Sequence, residues 1–299
     1  MTLLTDDTEV AALHALRTDA ADLITHHPVV AANTYTRWFA TGAASEDDVR
    51  HLTVQFSVFS HQFVAAQLRK VINAADLDTY RAGKEILMNE LGVIFKPARG
   101  YDSGAGRPAT EAAARPATGP VTDVEVDPAL VATDGSVDGS RFKFAAAHFE
   151  WLLRFAGPLG LGFADLGKRR HGTASTLHFC DELLRIYGSD DPSIAEGASY
   201  AVEHWAAAGF WKELIAGLNA VKAARHPDLD LAFWTWHDKV EDQHAAHTDD
   251  ELAQAVSLPG FEAGKFLAGA ADMLDGVQAF WDGLWTDHLR GRSTWQRTA

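Results

Sequence analysis

Residues 233–247 read FWTWHDKVEDQHAAH, with three histidines set among Phe233, Trp234 and Trp236. A face turned to water has no use for three large aromatic side chains. A face turned to a core does not favour His237, Glu241 and His244. On a helix at about 100° per residue, with His237 at zero, Glu241 falls near about 40° and His244 near about −20°. The three form one narrow stripe. Asp242 falls near about 140° and points elsewhere, and His247 lies at the margin near about −80°. The segment therefore reads as a helix with an apolar side and a His-x-x-x-Glu-x-x-His stripe. That stripe is either a solvated face carrying chance histidines or an N, O, N donor set. Imidazole with carboxylate suits iron, manganese or zinc better than calcium or magnesium.

Working outward, most of the 299-residue chain repeats the helical period. Helices are expected over DTEVAALHALRTDAADLITHH, over EDDVRHLTVQFSVFSHQFVAAQLRKVINAA and over TYRAGKEILMNELG. Asp47 and Asp48 suit the positive end of the second of these. Further helices are expected over FKFAAAHFEWLLRFAGPLGL, stopped by Gly157 and Pro158, and over TASTLHFCDELLRIYG. The remaining ones cover PSIAEGASYAVEHWAAAGFWKELIAGLNAV, the histidine segment itself and FEAGKFLAGAADMLDGVQAFWDGLWTDHLRG. Apolar/polar alternation is scarce, so no sheet is expected. Residues 93–141 break the pattern with Gly, Pro, Ala and Thr, and only VTDVEV there suggests a short strand. A structureless loop of that length is uncommon inside a compact domain. The expectation is an all-α domain over 1–299 with an irregular insertion at about 93–141.

Composition bounds the function. The net charge of −15, from 41 acids against 26 bases, argues against nucleic acid or an anionic membrane as the main partner. Cys180 is the lone cysteine, so no internal disulfide forms, which fits a reducing cytoplasm. The N-terminus MTLLTDDTEV lacks the basic start and apolar run of a signal peptide, and no run is long enough to span a membrane.

A metal site inside a helical bundle draws ligands from several helices. Glu203 sits among Tyr200, Trp205 and Phe210. His148 sits beside Phe149 and near Trp151. Glu90 follows the apolar run ILM. Each has a plain alternative: Glu203 at the surface, His148 bonded to a carbonyl in the core, Glu90 ending a helix. With the stripe they make three carboxylates and three imidazoles, enough to balance most of the charge of two divalent irons and leave coordination positions open.

In this order the residues resemble the haem-oxygenase-like diiron oxidases and oxygenases, a family also labelled iron-containing redox enzymes. NELG supplies Asn89, Glu90 and Gly92, and HFEWLLRFAGPLGL supplies His148 with its apolar run. AVEHWAAAGFWKELIAGL supplies Glu203, 55 residues after His148, and HDKVEDQH supplies His237, Glu241 and His244. The resemblance covers roughly residues 45–255. The chain departs from the family in having Glu241 where Asp is usual. It also departs in the 58 residues between Glu90 and His148, which leave Asp138, ten residues before His148, as a rival first carboxylate.

The resemblance implies a haem-oxygenase-like bundle of about seven helices, usually a homodimer. It implies that Glu90, His148, Glu203, His237, Glu241 and His244 hold two Fe(II) per chain, with O2 as co-substrate and an external reductant where the reaction needs one. It implies a small-molecule substrate, an amino acid, amine or fatty-acid-like intermediate of natural-product biosynthesis. Some N-oxygenating members carry an extra carboxylate on the helix before the one bearing the first Glu. Here Val49–Ala75 contains no Asp or Glu. Carbon-centred chemistry is therefore expected, by C–H abstraction leading to desaturation, decarboxylation or C–C cleavage, with N-oxygenation of an amine as the alternative. Gln55, His61, Gln62, His204, Trp234, Trp236 and Arg154 are candidates for the pocket wall, or else ordinary core and surface residues. Three other readings compete. One is a haem protein using His14, His26 or His27. Another is a thiamin-degrading relative using Cys180. The third is a non-catalytic helical protein.

Overall fold

Ser45 and three acids open the helix that organises the chain. Its hydroxyl accepts from the Asp48 amide at 3.1 Å, and the Asp48 carboxylate accepts from the Ser45 amide at 2.8 Å. This reciprocal capping box satisfies two amides that a helix start leaves unbonded. Glu46, Asp47 and Asp48 sit in the first turn and Arg69 and Lys70 in the last, both favoured by the helix dipole. The helix, α4, runs Glu46–Ile72. The computed structural model describes residues 7–96, 131–137, 140–145 and 148–293.

Three helices precede α4: α1 Asp7–His26, α2 Pro28–Ala31 and α3 Thr34–Ala40. After it come α5 Leu77–Glu90, α6 His148–Ala156 and α7 Ala174–Ile186. The chain continues with α8 Pro192–Ala207, α9 Phe210–Ala224, α10 Ala232–Ala255 and α11 Ala263–Leu289. The all-α expectation holds for the bulk of the chain. The stretch read as one helix from residue 192 to 221 is two, α8 and α9. They are parted at Gly209, whose φ of +100° only glycine adopts cheaply. The short α2 and α3 lie in residues 28–40, where no helix was expected.

Two expectations are corrected near the insertion. The helix expected from Phe142 starts at His148, and residues Ser140–Ala145 are instead a strand, β3. β3 is the centre of an antiparallel three-stranded sheet, flanked by β1 Val93–Lys96 and β2 Val131–Val137. Val93 faces Phe144 and Lys96 faces Arg141 on one side, and Gly135 faces Phe142 on the other. VTDVEV and Asp138 lie outside the described residues.

Cα packing divides the chain into two units: Met1–Leu87 with Phe149–Ala299, and Met88–His148. The larger unit holds the helical core. α11 packs along α8 and α7, α10 lies against α8 and α9, and α4 lies against α7. Phe56 of α4 is a hub, its ring 5.0 Å from Trp234, 5.6 Å from Trp211 and 5.8 Å from Phe233. Phe233 and Trp234 are fully buried, so the aromatic half of the opening stretch is core. Each such side chain contributes about 1.5–3 kcal/mol by leaving water. Among the described residues, no helix is long and apolar enough to cross a membrane.

Candidate metal centre

In the smaller unit, Glu90 ends α5 and His148 begins α6. Their side chains meet, with His148 Nδ1 2.9 Å from Glu90 Oε2, although 58 residues separate them in sequence. Both side chains are largely buried, at 10% and 15% exposure. A carboxylate only accepts, so in the neutral ring Nδ1–H donates and the Lewis-basic lone pair lies on Nε2. A spacing near 3 Å is also that of two neighbouring donors on one ion with bonds of about 2.1 Å. The structure thus brings Glu90 and His148 together, while Asp138 is outside the described residues.

In the larger unit, α10 positions His237 one turn after Phe233. The Phe233 carbonyl accepts from His237 Nδ1 at 2.6 Å, which again places the lone pair on Nε2. The ring stacks on Trp211 at 4.7 Å and abuts Phe233 and Trp236. A ligating histidine is characteristically oriented in this way, by a bond from its other nitrogen. The backbone places Glu241 and His244 on the same helix, one and two turns on. Their side chains, with those of 240–247 as a whole, are not among the described ones. Glu203 is half-buried on α8. Of the six expected donors, the structure pairs Glu90 with His148 and orients His237. Among the described residues, no group of three or more His, Cys, Asp or Glu side chains is placed to hold a metal.

Close to Glu203 is a cluster that sequence reading missed. Glu196, Ser199 and Glu203 recur at the three- and four-residue spacing that puts them on one face of α8. Lys70 of α4 reaches that face. Its ammonium donates to Ser199 Oγ at 2.7 Å and lies 3.8 Å from Glu196 and 3.6 Å from Glu251 of α10. Burial works to lower the Lys70 pKa, but the charges of Glu196, Glu251 and Glu203 outweigh it and push the pKa above its ordinary value. The Lys70 ammonium is thus buried among carboxylates. Burial likewise pushes the neighbouring Tyr187 phenol up, against the opposing pull of Lys70. Nothing local in the sequence marks Lys70, because its partners lie more than a hundred residues away.

The other candidates separate clearly. Gln55 is buried and clamps a loop, donating to the His171 carbonyl and accepting from the Thr173 amide, both at 2.8 Å. Trp234 is core and His61 is exposed. His204 stacks on Tyr200 at 3.9 Å, and the Tyr200 carbonyl accepts from its Nδ1 at 2.9 Å. Cys180 is buried, and burial pushes its thiol up to about 12, so little thiolate exists at neutral pH. That counts against the thiamin-degrading reading. Of the haem-ligand candidates, His14 and His26 lie exposed on α1, and His27 Nε2 is 3.3 Å from Asp275.

The described donors fit a divalent transition metal in type: the imidazoles of His148 and His237, each bonded at Nδ1, and the largely buried carboxylate of Glu90. Neither a family model nor a curated protein sequence matches the chain. Solved structures do. A CADD-like protein of unknown function from Nostoc punctiforme superposes with a TM-score of 0.58 at 17% identity, over 93% of this chain and 98% of that one. A domain of unknown function with a heme oxygenase-like fold, from Shewanella denitrificans, gives 0.54 at 14% identity, over 99% of both chains. A TenA homologue from Pseudomonas syringae pv. tomato gives 0.58 at 10% identity, over 91% and 92%. The fold is haem-oxygenase-like.

Proposed function

We propose that this protein is a non-haem diiron oxidase or oxygenase that uses O2 on a small molecule, with Glu90, His148, Glu203, His237, Glu241 and His244 as the ligands. The observation that carries the reading is the 2.9 Å approach of His148 to Glu90 across an interruption of 58 residues. The oriented ring of His237 supports it. Bound iron would supply the activation of O2. The protein's own groups do the rest. The Phe233 carbonyl holds the proton on the Nδ1 atom of His237, so that ring offers Nε2, and Glu90 stands beside His148 as its neighbouring donor. Trp211, Phe233 and Trp236 wall His237 with apolar surface, which excludes water and strengthens every charge interaction there. The carbon-centred outcome, C–H abstraction leading to desaturation, decarboxylation or C–C cleavage, rests on the absence of a carboxylate from Val49 to Ala75.

The test is O2 uptake by protein reconstituted anaerobically with Fe(II), screened against amino acids, amines and fatty acids. A substrate that accelerates uptake and is recovered desaturated, decarboxylated or cleaved supports the reading. Recovery of an N-hydroxylated amine would move it to the N-oxygenase alternative. No acceleration by any class, with iron bound, would remove the oxygenase assignment.

A further inference from the structure

A cleft of about 60 Å³ lies where the turn between α2 and α3 meets the turn between α8 and α9. Val29 and Phe210 give it apolar wall, and Asn33, Thr36 and Trp205 are its buried polar residues. Asn33 and Trp205 are 4% exposed, and Thr36 is fully buried. Asn33 Nδ2, Thr36 Oγ1 and Trp205 Nε1 have no hydrogen-bond partner. The Asn33 amide is not free to turn over. Its Oδ1 accepts from the Thr36 amide at 3.2 Å and caps α3, so Nδ2 is the end left over. The Trp205 ring lies flat on Phe210, with centroids 4.5 Å apart and planes at 5°, which fixes the edge that carries Nε1. Gly209, also in the wall, opens α9 without a side-chain cap.

The hydrogen-bond inventory decides what fits. Asn33 Nδ2 and Trp205 Nε1 only donate, and the Thr36 hydroxyl has a hydrogen to give. A buried donor without an acceptor forfeits the bond it made to water. The missing group is therefore an acceptor. An ammonium would add donors alone, and a primary amide would add more donors than acceptors. A carboxylate is acceptor-only, and bonds to it are stronger than bonds between neutral groups. Arg37 and Glu213 are the charged side chains of the lining, one of each sign, and Arg37 also donates to the Ala31 carbonyl. The uncapped start of α9 favours an anion. A cavity of about 150 Å³ accommodates benzene, so this one takes about three or four heavy atoms. A carboxylate with its adjoining carbon is of that size, and tetrahedral phosphate is larger.

We propose that this cleft binds the carboxylate group of a small organic acid, its oxygens accepting from Asn33 Nδ2, Trp205 Nε1 and Thr36 Oγ1. This goes beyond the diiron reading and does not depend on it, since none of the lining residues is an expected iron ligand.

The test titrates metal-free, 15N-labelled full-length protein with sodium acetate, with sodium chloride holding the ionic strength, and follows the indole N–H resonances by NMR. Trp205→Phe identifies the Trp205 resonance. That resonance should move saturably, with a Kd of about 0.1–10 mM. Acetamide and inorganic phosphate should bind at least about ten-fold more weakly. Asn33→Asp keeps the α3 cap but replaces the free donor with an acceptor, and should abolish binding. Thr36→Val removes the hydroxyl with little change of shape, should weaken acetate by about ten-fold, and decides the matter if Asn33→Asp does not fold. The proposal is overturned if the Trp205 resonance does not move by about 50 mM acetate, which would mean that water alone fills the cleft. It is also overturned if acetamide or phosphate binds as tightly as acetate, or if acetate binding survives Asn33→Asp or Thr36→Val unchanged. Because no iron is present, a negative result leaves the diiron assignment standing, and a positive one does not prove it.

Discussion

Replacing Gly197 with alanine should loosen the helix pair that carries Glu203. α8 and α11 touch backbone to backbone at Gly197 and Gly269. A Cβ on Gly197 would lie 1.9 Å from the Phe266 carbonyl oxygen, and one on Gly269 would lie 2.4 Å from the Ile194 carbonyl oxygen. An unstrained contact is longer by more than about 1 Å, and a carbonyl inside a helix cannot rotate away as a side-chain tip can. The two helices must therefore separate. Overpacking of this kind costs about 1–3 kcal/mol, and a backbone obstacle puts Gly197→Ala at or above the upper end. Alanine's better helix propensity returns about 1 kcal/mol. The net loss is about 2 kcal/mol, which lowers Tm by roughly 3 °C in a chain of this size. Gly264→Ala is the control, because a Cβ there meets nothing within 4 Å, and it should be neutral or stabilising. Thermal unfolding followed by circular dichroism reads both variants. Since Glu203 lies two turns from Gly197, a displacement of about 1 Å should also weaken metal binding measurably. If Gly197→Ala melts with the wild type, or above it as Gly264→Ala should, the close approach of α8 to α11 is wrong.

Three further outcomes follow from individual groups. The Asp48 carboxyl is held below the usual carboxylate range. Bonds from Ser45 and His288 outweigh the opposing effect of burial. Its contribution is complete above the unfolded value near about 4 and is lost as pH falls through the lower folded value, so Asp48→Asn should cost about 1–2 kcal/mol at pH 7. Urea titrations should show that difference closing below about pH 4; a constant difference down to acid would refute it. Cys180 should resist iodoacetamide in the native protein at pH 8 and react fully in denaturant, whereas prompt native labelling would contradict its burial. Lys70→Met removes the buried ammonium beside Glu196 and Glu251 and should destabilise by about 3–5 kcal/mol. A variant as stable as the wild type by urea titration would mean that the cluster carries little energy.

The helical character of the chain was legible because its signals are local. The α4 cap lies within four residues, and the aromatic side of residues 233–237 repeats at the helical period. The sheet was not: β1 reaches β3 only across more than forty residues, and the β2–β3 hairpin, which closes at Val137 and Ser140, shows little apolar/polar alternation. The strand β3 also runs almost directly into α6, so the helical period of HFEWLLRFA absorbed FKFA in the reading. α2 and α3 escaped because each is too short to show a period. At the candidate site, the stripe of His237, Glu241 and His244 can be drawn from sequence with a protractor, and the pattern NELG singled out Glu90. Lys70 could not be found that way, because its role comes from Ser199, Glu196 and Glu251 on two distant helices. The bonds of Gln55 were hidden for the same reason: its partners, His171 and Thr173, lie across the fold in a loop.

The central claim is that six side chains hold two irons, and metal content after anaerobic Fe(II) reconstitution tests it most directly. The wild type should retain close to two Fe(II) per chain. His237→Ala, His244→Ala, Glu203→Gln and Glu241→Gln should each lower that content, while Asp242→Asn, on another face of α10, should leave it unchanged. Wild-type protein that retains no iron after desalting, or content indifferent to His237 and Glu203, would contradict the account.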